Sequence, residues 1–400
     1  MPFAYKDFKI SLLVLLLLFA IVNIRNYLTT SINKNLLFVF SFLIVTNCLF
    51  ILIGIFNNNI GAWPTLPVNL IWPILYFIIL LDARFYIDFK EVVLIYKISL
   101  TIILLYILFF YSNIFFGFPI LINENLIRLS FDPNNPIATA NQISMPAATS
   151  LFFLVPFFMS NVLISKEKKL SDYIFLFFGV IISLATGRRA LILLIFFSPL
   201  MILILSFVLP YRKKSIINRI IKKILIISIL LSIVIVILEK NKIIDVTFLI
   251  NKTVSYYIPS KSGLEVGAII RDTQKNALID KWRRKPFLGF GYGASVNDYI
   301  RNQKTPWAYE LSYVAKLMNI GIIGMSIYLF FISFLVLKLS VRLKNNYIFY
   351  LSSITSFITV LIANSSNPYL DSFEYMWMIY FQILFILIGE KFVIKSIYSD

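Results

Sequence analysis

Few polar residues in this chain could carry chemistry, and Glu310 is the first candidate among them. The sequence contains no histidine, so a carboxylate must serve wherever a reaction needs a proton acceptor. Glu310 lies at the mouth of a long apolar segment and follows a basic loop that contains Arg271. A carboxylate in this place can act as a general base, and a nearby guanidinium group can hold an anion. The alternatives are that Glu310 simply faces water or pairs with Lys316.

Arg188 and Arg189 form a second candidate site in a tight turn between two apolar segments. Arginine suits phosphate because its planar fork donates two parallel hydrogen bonds. The adjacent pair therefore predicts a bound anion. The alternative is that both side chains only anchor the helix ends among lipid headgroups.

The elements that position these residues must be apolar, because 60% of the 400 residues are hydrophobic and only 14% are charged. A soluble domain could not cover so much apolar surface. We predict an all-α, polytopic transmembrane bundle of about eleven spans, with a range of about ten to twelve. The single cysteine, Cys48, excludes an intramolecular disulfide and a cysteine metal cage. The candidate spans are residues 10–24, 35–56, 66–81, 92–116, 143–164, 171–187, 190–209, 224–240, 308–337, 346–363 and 373–389.

Lysine and arginine in the connections predict the orientation of these spans. With the C-terminus inside, most positive residues fall in cytoplasmic connections, which explains much of the net charge of +18 without nucleic acid. The predicted organisation is eight spans in residues 1–240, a large external loop at 241–307, and three spans with a cytoplasmic tail in 308–400.

The predicted external loop is strongly basic, with eleven basic and five acidic residues and a net charge of +6. This charge suits a phosphorylated substrate or anionic lipid headgroups, and general attraction to the membrane surface is the alternative. Residues at helical spacing predict an amphipathic helix that lies on the membrane and ends before Pro286. Those residues are Ile270, Thr273, Ala277, Leu278 and Trp282.

Glycines mark two further segments. Gly289, Gly291 and Gly293 allow backbone turns that other residues avoid. Gly289, Gly291 and Ala294 also fit the spacing of a dinucleotide fingerprint, but that interpretation is rejected because no strand precedes the glycines. Gly321 and Gly324 predict the close approach of another helix to the ninth span. The polar connection at residues 363–369, with Asp371 and Glu374 after it, is interpreted as an ordinary turn, and the alternative is that its amides and hydroxyls hydrogen-bond a sugar.

Four features together resemble the bacterial O-antigen polymerase and ligase superfamily. They are Thr186-Gly187-Arg188-Arg189 between two spans, Arg271 followed by Trp282, Pro286 leading into Gly289-x-Gly291-x-Gly293, and Glu310 followed by Gly321-x-x-Gly324. Their order and the large loop between spans eight and nine match as well, so the resemblance covers roughly residues 170–390. Ligases of this superfamily typically have a histidine where this chain has Glu310, which favours a Wzy-type repeat-unit polymerase.

The resemblance implies a multi-pass glycosyltransferase of the bacterial inner membrane whose active site faces the periplasm. Its donor and acceptor are undecaprenyl-diphosphate-linked oligosaccharides, and a chain-length regulator and a flippase are possible partners. Glu310 is then the expected catalytic base, and Arg189 and Arg271 hold the diphosphate with support from Arg188. Neither a cofactor nor a metal is expected, because the arginines neutralise the diphosphate.

Two other functions fit the same residues. A ligase of the same superfamily would use the same donor, since one residue does not determine the acceptor. A lipid-linked oligosaccharide flippase would also bind such a substrate. Flippases usually have internal repeats and coupling charges near mid-membrane, whereas the charges here are predicted at the outer surface.

Overall fold

The computed structural model describes residues 6–23, 33–116, 146–167, 169–185, 188–211, 214–240, 266–297, 299–300 and 303–397. Thr186, Gly187 and the segment 241–265 of the predicted loop lie outside the described residues, as does the side chain of Arg189. Within the described ranges every regular element is helical, which confirms the all-α prediction.

Twelve α-helices are present in the described ranges, and each of the eleven apolar segments coincides with one of them. The segment 143–164 is described only from Pro146 onwards. The remaining helix, α9, lies in the basic region. The helices are α1 (Lys6–Val22), α2 (Lys34–Phe56), α3 (Ala62–Ala83, with a π turn at Pro67–Ile71), α4 (Phe89–Phe116), α5 (Leu151–Ile164, after a 3-10 turn at Pro146–Ser150), α6 (Leu170–Ala185), α7 (Arg189–Val208), α8 (Lys214–Lys240), α9 (Val266–Arg284), α10 (Ser312–Val341, followed by a 3-10 turn at Arg342–Lys344), α11 (Tyr347–Asn364) and α12 (Trp377–Ile397).

Six helices of the described chain are long and apolar enough to cross a membrane. They are Lys34–Phe56, Ala62–Ala83, Phe89–Phe109, Ala190–Val208, Ser312–Lys344 and Tyr347–Asn364. Four shorter apolar helices accompany them: Ser11–Val22, Ala148–Ile164, Leu170–Ser183 and Trp377–Glu390. Large apolar side chains of the long helices, such as Leu94, Leu105 and Phe207, are exposed on the outside of the bundle. Lipid suits such a surface far better than water does, and these features are those of a membrane protein.

The centre of the bundle is α5, whose fourteen residues are all buried. This helix is apolar on nearly every side, and a helix of that kind belongs in an interior rather than at a surface. It packs along α11, and Ser352 donates a hydrogen bond across this contact to Asn161, with 3.2 Å between the two oxygens. Tyr96 of α4 packs edge-on against Phe157 of α5, with ring centroids 5.0 Å apart. The core therefore fixes α4, α5 and α11 relative to one another.

Helix α10 is broken at Gly321, where the backbone adopts φ 60° and ψ −170°. The loop after α9 fills the break: the amide of Ile322 donates to the carbonyl of Pro286 at 2.9 Å, and that of Ile323 to Phe287 at 3.2 Å. The backbone groups freed by the break are thus satisfied within the protein, as a lipid environment demands. The prediction that Gly321 admits another helix is wrong, because a Cβ there would collide with the backbone of Phe287 in the loop.

The loop between α9 and α10 requires glycine at position 291. Its φ of 81° is in the left-handed region, and a Cβ there would collide with the backbone of Gly54 in α2. The amide of Gly291 donates to the carbonyl of Asn319 at 2.7 Å, so the loop is held between α2 and α10. At Gly324 the prediction of a close helix is confirmed: an added Cβ would lie 2.6 Å from a ring carbon of Phe50 in α2.

Candidate functional site

Four connections meet at one end of the bundle. They are the α2–α3 turn, the α6–α7 turn that contains Arg188, the α9–α10 loop and the α11–α12 connection. The side-chain amide of Asn59 in the α2–α3 turn donates to the carbonyl of Phe290 in the α9–α10 loop at 2.8 Å. Ser312 at the start of α10 donates to the carboxylate of Asp371 in the α11–α12 connection at 3.0 Å. The candidate site is built on this end.

Arg271 and Glu310 form an ion pair, with 3.0 Å between Nε and Oε2. Their side chains are only 24% and 19% exposed. Arg271 lies in the second turn of α9, and Glu310 lies two residues ahead of Ser312, where α10 begins. The structure therefore corrects the expectation that Glu310 opens the helix, and it places the predicted base against one of the predicted diphosphate ligands.

Gln274, about one turn after Arg271, holds the backbone at Glu310. Its Oε1 accepts hydrogen bonds from the amides of Glu310 and Leu311 at 3.0 and 2.9 Å, and the residue is fully buried. Amides at the start of a helix have no intrahelical partner, so a side-chain acceptor stabilises them. Sequence reasoning missed Gln274 because it searched this helix for apolar periodicity. The available signal was its spacing of three and four residues from Arg271 and Leu278, which puts all three on one face.

Helix α9 lies where the amphipathic helix was predicted and ends at Arg284, two residues before Pro286. The proposed apolar stripe does not pack on the protein as one face: Leu278 is fully buried, whereas Ile270 and Thr273 are exposed. Around Leu278, α9 packs against the α9–α10 loop and α10, in a cluster with Ala294, Val296, Tyr309, Ala315 and Met318. This packing fixes the position of Arg271 relative to Glu310.

Arg188 approaches the same place from the α6–α7 turn. Its Nη1 donates to the hydroxyl of Thr149 at 2.7 Å, and its guanidinium carbon lies 5.8 Å from the ring centre of Tyr369. Burial raises the pKa of the Tyr369 phenol, and the charge of Glu310 raises it further. The charge of Arg188, a hydrogen bond with Arg188 and the charge of Arg271 act in the opposite direction and lower this pKa. Tyr369 thus lies within electrostatic reach of all three charged groups. Sequence reasoning also missed this tyrosine.

Arg189 is the first residue of α7, next to Arg188 in the chain. Its side chain lies outside the described residues. Its predicted contact with a diphosphate therefore stays a prediction.

A cavity of about 330 Å³ lies beside the charged cluster, by which we mean Arg188, Arg271 and Glu310. Tyr309 and Ser312, on either side of Glu310 and Leu311 in the chain, both line it. Arg188, Arg271 and Glu310 are not among the lining residues. The charged cluster and the cavity are therefore neighbours rather than a single pocket.

An ion pair between Lys316 and Asp371 crosses the cavity wall, with 3.5 Å between Nζ and Oδ1. The Glu310–Lys316 pair considered above is thus wrong, because each residue has a different ionic partner. The supposed ordinary turn is also more than a connection: Asn364 is fully buried and donates to the hydroxyl of Ser312 at 3.1 Å. Through Ser312 and Asp371 it joins α11 to the start of α10.

Comparison of the chain with family models, with curated proteins and with solved structures finds no match. The resemblance to the polymerase and ligase superfamily therefore stays a prediction, and the function is argued from the geometry of the site.

Proposed function

We propose that this chain is a membrane glycosyltransferase that joins undecaprenyl-diphosphate-linked oligosaccharide repeat units into O-antigen or capsular polysaccharide. The observation that supports it most is the ion pair of Arg271 with Glu310. Arg188 contributes further positive charge nearby, since all three residues affect the pKa of Tyr369. Glycosyl transfer from a lipid diphosphate needs a base for the acceptor hydroxyl and positive groups for the departing diphosphate. One carboxylate beside guanidinium groups supplies both.

The reaction assigned to the site is a single displacement. The acceptor hydroxyl oxygen attacks the anomeric carbon of the donor glycan while the bond from that carbon to the diphosphate oxygen breaks. Glu310 accepts the hydroxyl proton, and the leaving lipid diphosphate keeps the electron pair. The growing glycan is thereby transferred to an incoming lipid-linked repeat unit.

Arg271 has two tasks in this mechanism. It orients Glu310 through its Nε, and it stabilises the negative charge that grows on the leaving group. A guanidinium group has five N–H donors, so one arginine can contact a carboxylate and a phosphate oxygen together. Arg188 and Arg189 supply further positive charge from the α6–α7 turn. No cofactor or metal is required by this chemistry.

We assign the site to the periplasmic face of the bacterial inner membrane, with eleven spans and residues 241–307 outside. The support is the distribution of charge along the bundle. Basic connections assigned to the cytoplasm, at Lys166, Arg219 and Arg342, lie at the end opposite Glu310, because α5 and α10 each run from the site to that end. Positive residues accumulate on the cytoplasmic side of membrane proteins. A chain-length regulator and a flippase are the partners such a polymerase would need.

Replacement of Glu310 by Gln in the native host tests the proposal. We expect surface polysaccharide on gels to shrink to single repeat units that are still attached to their final acceptor, with polymerisation slowed about a hundredfold or more. Glu167→Gln is the control, because Glu167 is 72% exposed at the opposite end of the bundle. Loss of all surface glycan would favour a ligase or a flippase instead. Unchanged long chains in a stably expressed Glu310→Gln protein would refute the mechanism.

A further inference from the structure

We infer that the cavity beside Glu310 is a saccharide subsite that binds the acceptor sugar of the incoming repeat unit. This inference rests on the proposed function and deepens it by separating the sugar from the diphosphate. The cavity volume of about 330 Å³ lies near the lower end of the range of roughly 300 to 1,000 Å³ for small-molecule pockets. That size suits a sugar unit rather than a lipid chain.

Aromatic side chains form part of the wall, namely Tyr292, Trp307 and Tyr309. One face of a sugar ring is made of C–H groups, and it packs well on a flat aromatic surface with a large apolar area. The ring of Trp307 occupies the space that a Cβ on Gly61 would take, so it lies directly against the backbone of the α2–α3 turn. The indole is thus held as part of a fixed wall.

Hydrogen-bond donors and acceptors both line the cavity. Asp371 supplies a carboxylate, Lys316 an ammonium group and Asn319 an amide. Amide, ammonium and carboxylate groups can all exchange hydrogen bonds with the hydroxyls of a sugar. Sugar hydroxyls also accept, so they match the ammonium group as well.

The charge of the cavity argues for a neutral ligand. Lys316 and Asp371 are the charged residues of the lining, and they are paired with each other. A lining that balances in this way gives no net attraction to a diphosphate. The guanidinium groups of Arg188 and Arg271 lie outside the lining. The substrate is therefore divided between two places, with the diphosphate at the arginines and the sugar in the cavity.

The position of the base identifies this sugar as the acceptor. The amide of Ser312 donates to the carbonyl of Glu310 at 2.9 Å, and both Ser312 and Tyr309 line the cavity. Glu310 itself does not line the cavity, so the sugar that presents a hydroxyl to this base extends from the cavity towards Glu310. We assign this sugar to the acceptor, because the base and two residues of the cavity wall belong to the same short segment.

A binding experiment on the full-length protein in nanodiscs tests the inference. The probe is the repeat-unit oligosaccharide released from its lipid carrier by mild acid, because it has no diphosphate for the arginines to bind. Saturation-transfer NMR is expected to show binding to the wild type and about tenfold or greater weakening in Trp307→Ala. Ala308→Phe fills the cavity without deleting a lining contact, and we expect the same loss. Trp63→Ala is the matched control, since Trp63 is 66% exposed and outside the lining.

Arg271→Ala separates this inference from the proposed function. We expect it to lose long polysaccharide and yet bind the free oligosaccharide as the wild type does. If the wild type binds the oligosaccharide while Arg271→Ala and Glu310→Gln leave polysaccharide length unchanged, the polymerase proposal fails and the saccharide site stands. If those two variants lose the polymer but folded Trp307→Ala and Ala308→Phe bind with wild-type affinity, or the wild type does not bind, the saccharide site is refuted. Gel filtration and thermal unfolding establish that each variant is folded.

Discussion

The Nε atom of Arg271 lies 3.0 Å from Oε2 of Glu310, although 39 residues separate them in the chain. The contact depends on the docking of α9 against the start of α10, which Gln274 and Leu278 secure. Neither partner sits in a membrane-spanning stretch of its own. The two residues are instead held where the loop connections meet.

Substitution of Arg271 tests the assignment of a guanidinium group rather than a simple positive charge. Arg271→Ala is expected to reduce polymerisation about 10²-fold or more, as loss of a donor to a developing anion does elsewhere. Arg271→Lys should recover only part of it, because lysine keeps the charge but lacks the planar fork. Gel analysis of surface polysaccharide measures both.

The matched control for Arg271 is Arg283→Ala on the same helix. Arg283 pairs with Asp280 at 3.1 Å, but the arginine side chain is 70% exposed, and exposed pairs contribute little to stability. This variant should make full-length polymer. Wild-type polymer from Arg271→Ala would remove Arg271 from the mechanism.

Gln274 is a positioning residue, and Gln274→Met should impair both stability and polymerisation. Methionine has a similar length but no oxygen, so the amides of Glu310 and Leu311 would each lose their acceptor, at about 1–3 kcal/mol per buried group. Thermal unfolding in nanodiscs measures the first effect. The rate of polymerisation and its pH profile, recorded well below the melting temperature, measure the second.

Gln303→Met is the control for the Gln274 variant, because Gln303 is exposed in the same loop region. It should match the wild type in stability and rate. If Gln274→Met is destabilised but keeps the wild-type rate and pH profile, Gln274 supports the fold without positioning Glu310.

Tyr369→Phe tests the phenol that contacts Arg188 and whose pKa also responds to the charges of Arg271 and Glu310. Burial raises its pKa above the ordinary value near 10, so the hydroxyl keeps its proton at neutral pH and is available as a donor. We expect the variant to shorten the polysaccharide several-fold with little change in stability, because only one oxygen is removed. Tyr299→Phe, in the α9–α10 loop, should leave chain length unaltered. A normal length distribution in Tyr369→Phe would show that the hydroxyl takes no part.

Gly291→Ala tests the loop that fills the break in α10. Alanine is strained at φ 81°, and its Cβ would collide with the backbone of Gly54. The strain alone costs about 1–2 kcal/mol, and the collision adds to it, so little folded protein should reach the membrane. Ser295→Ala in the same loop has no positive φ to disturb and should express normally. Immunoblots of membrane fractions compare the two, and normal amounts of Gly291→Ala would contradict this account of the loop.

The sequence by itself determined where the helices are and which residues could do chemistry. Long apolar runs form helices because lipid offers no partner for backbone N–H and C=O groups. Each predicted segment therefore coincides with a helix, from Lys6–Val22 to Trp377–Ile397. Glu310, Arg271 and Arg188 were identified from residue type and motif order, since a chain without histidine leaves few candidates.

Only the tertiary structure decided how these parts meet. Lipid-facing and core-facing residues are both apolar in such a bundle, so composition does not distinguish the fully buried α5 from a helix on the outside. Periodicity likewise ignores polar residues that pack, which is why Gln274 and Tyr369 were missed. The break at Gly321 and the Lys316–Asp371 pair depend on loop backbones and on partners 55 residues apart. Such contacts are fixed by three-dimensional packing, because no local pattern records which distant segment will lie alongside.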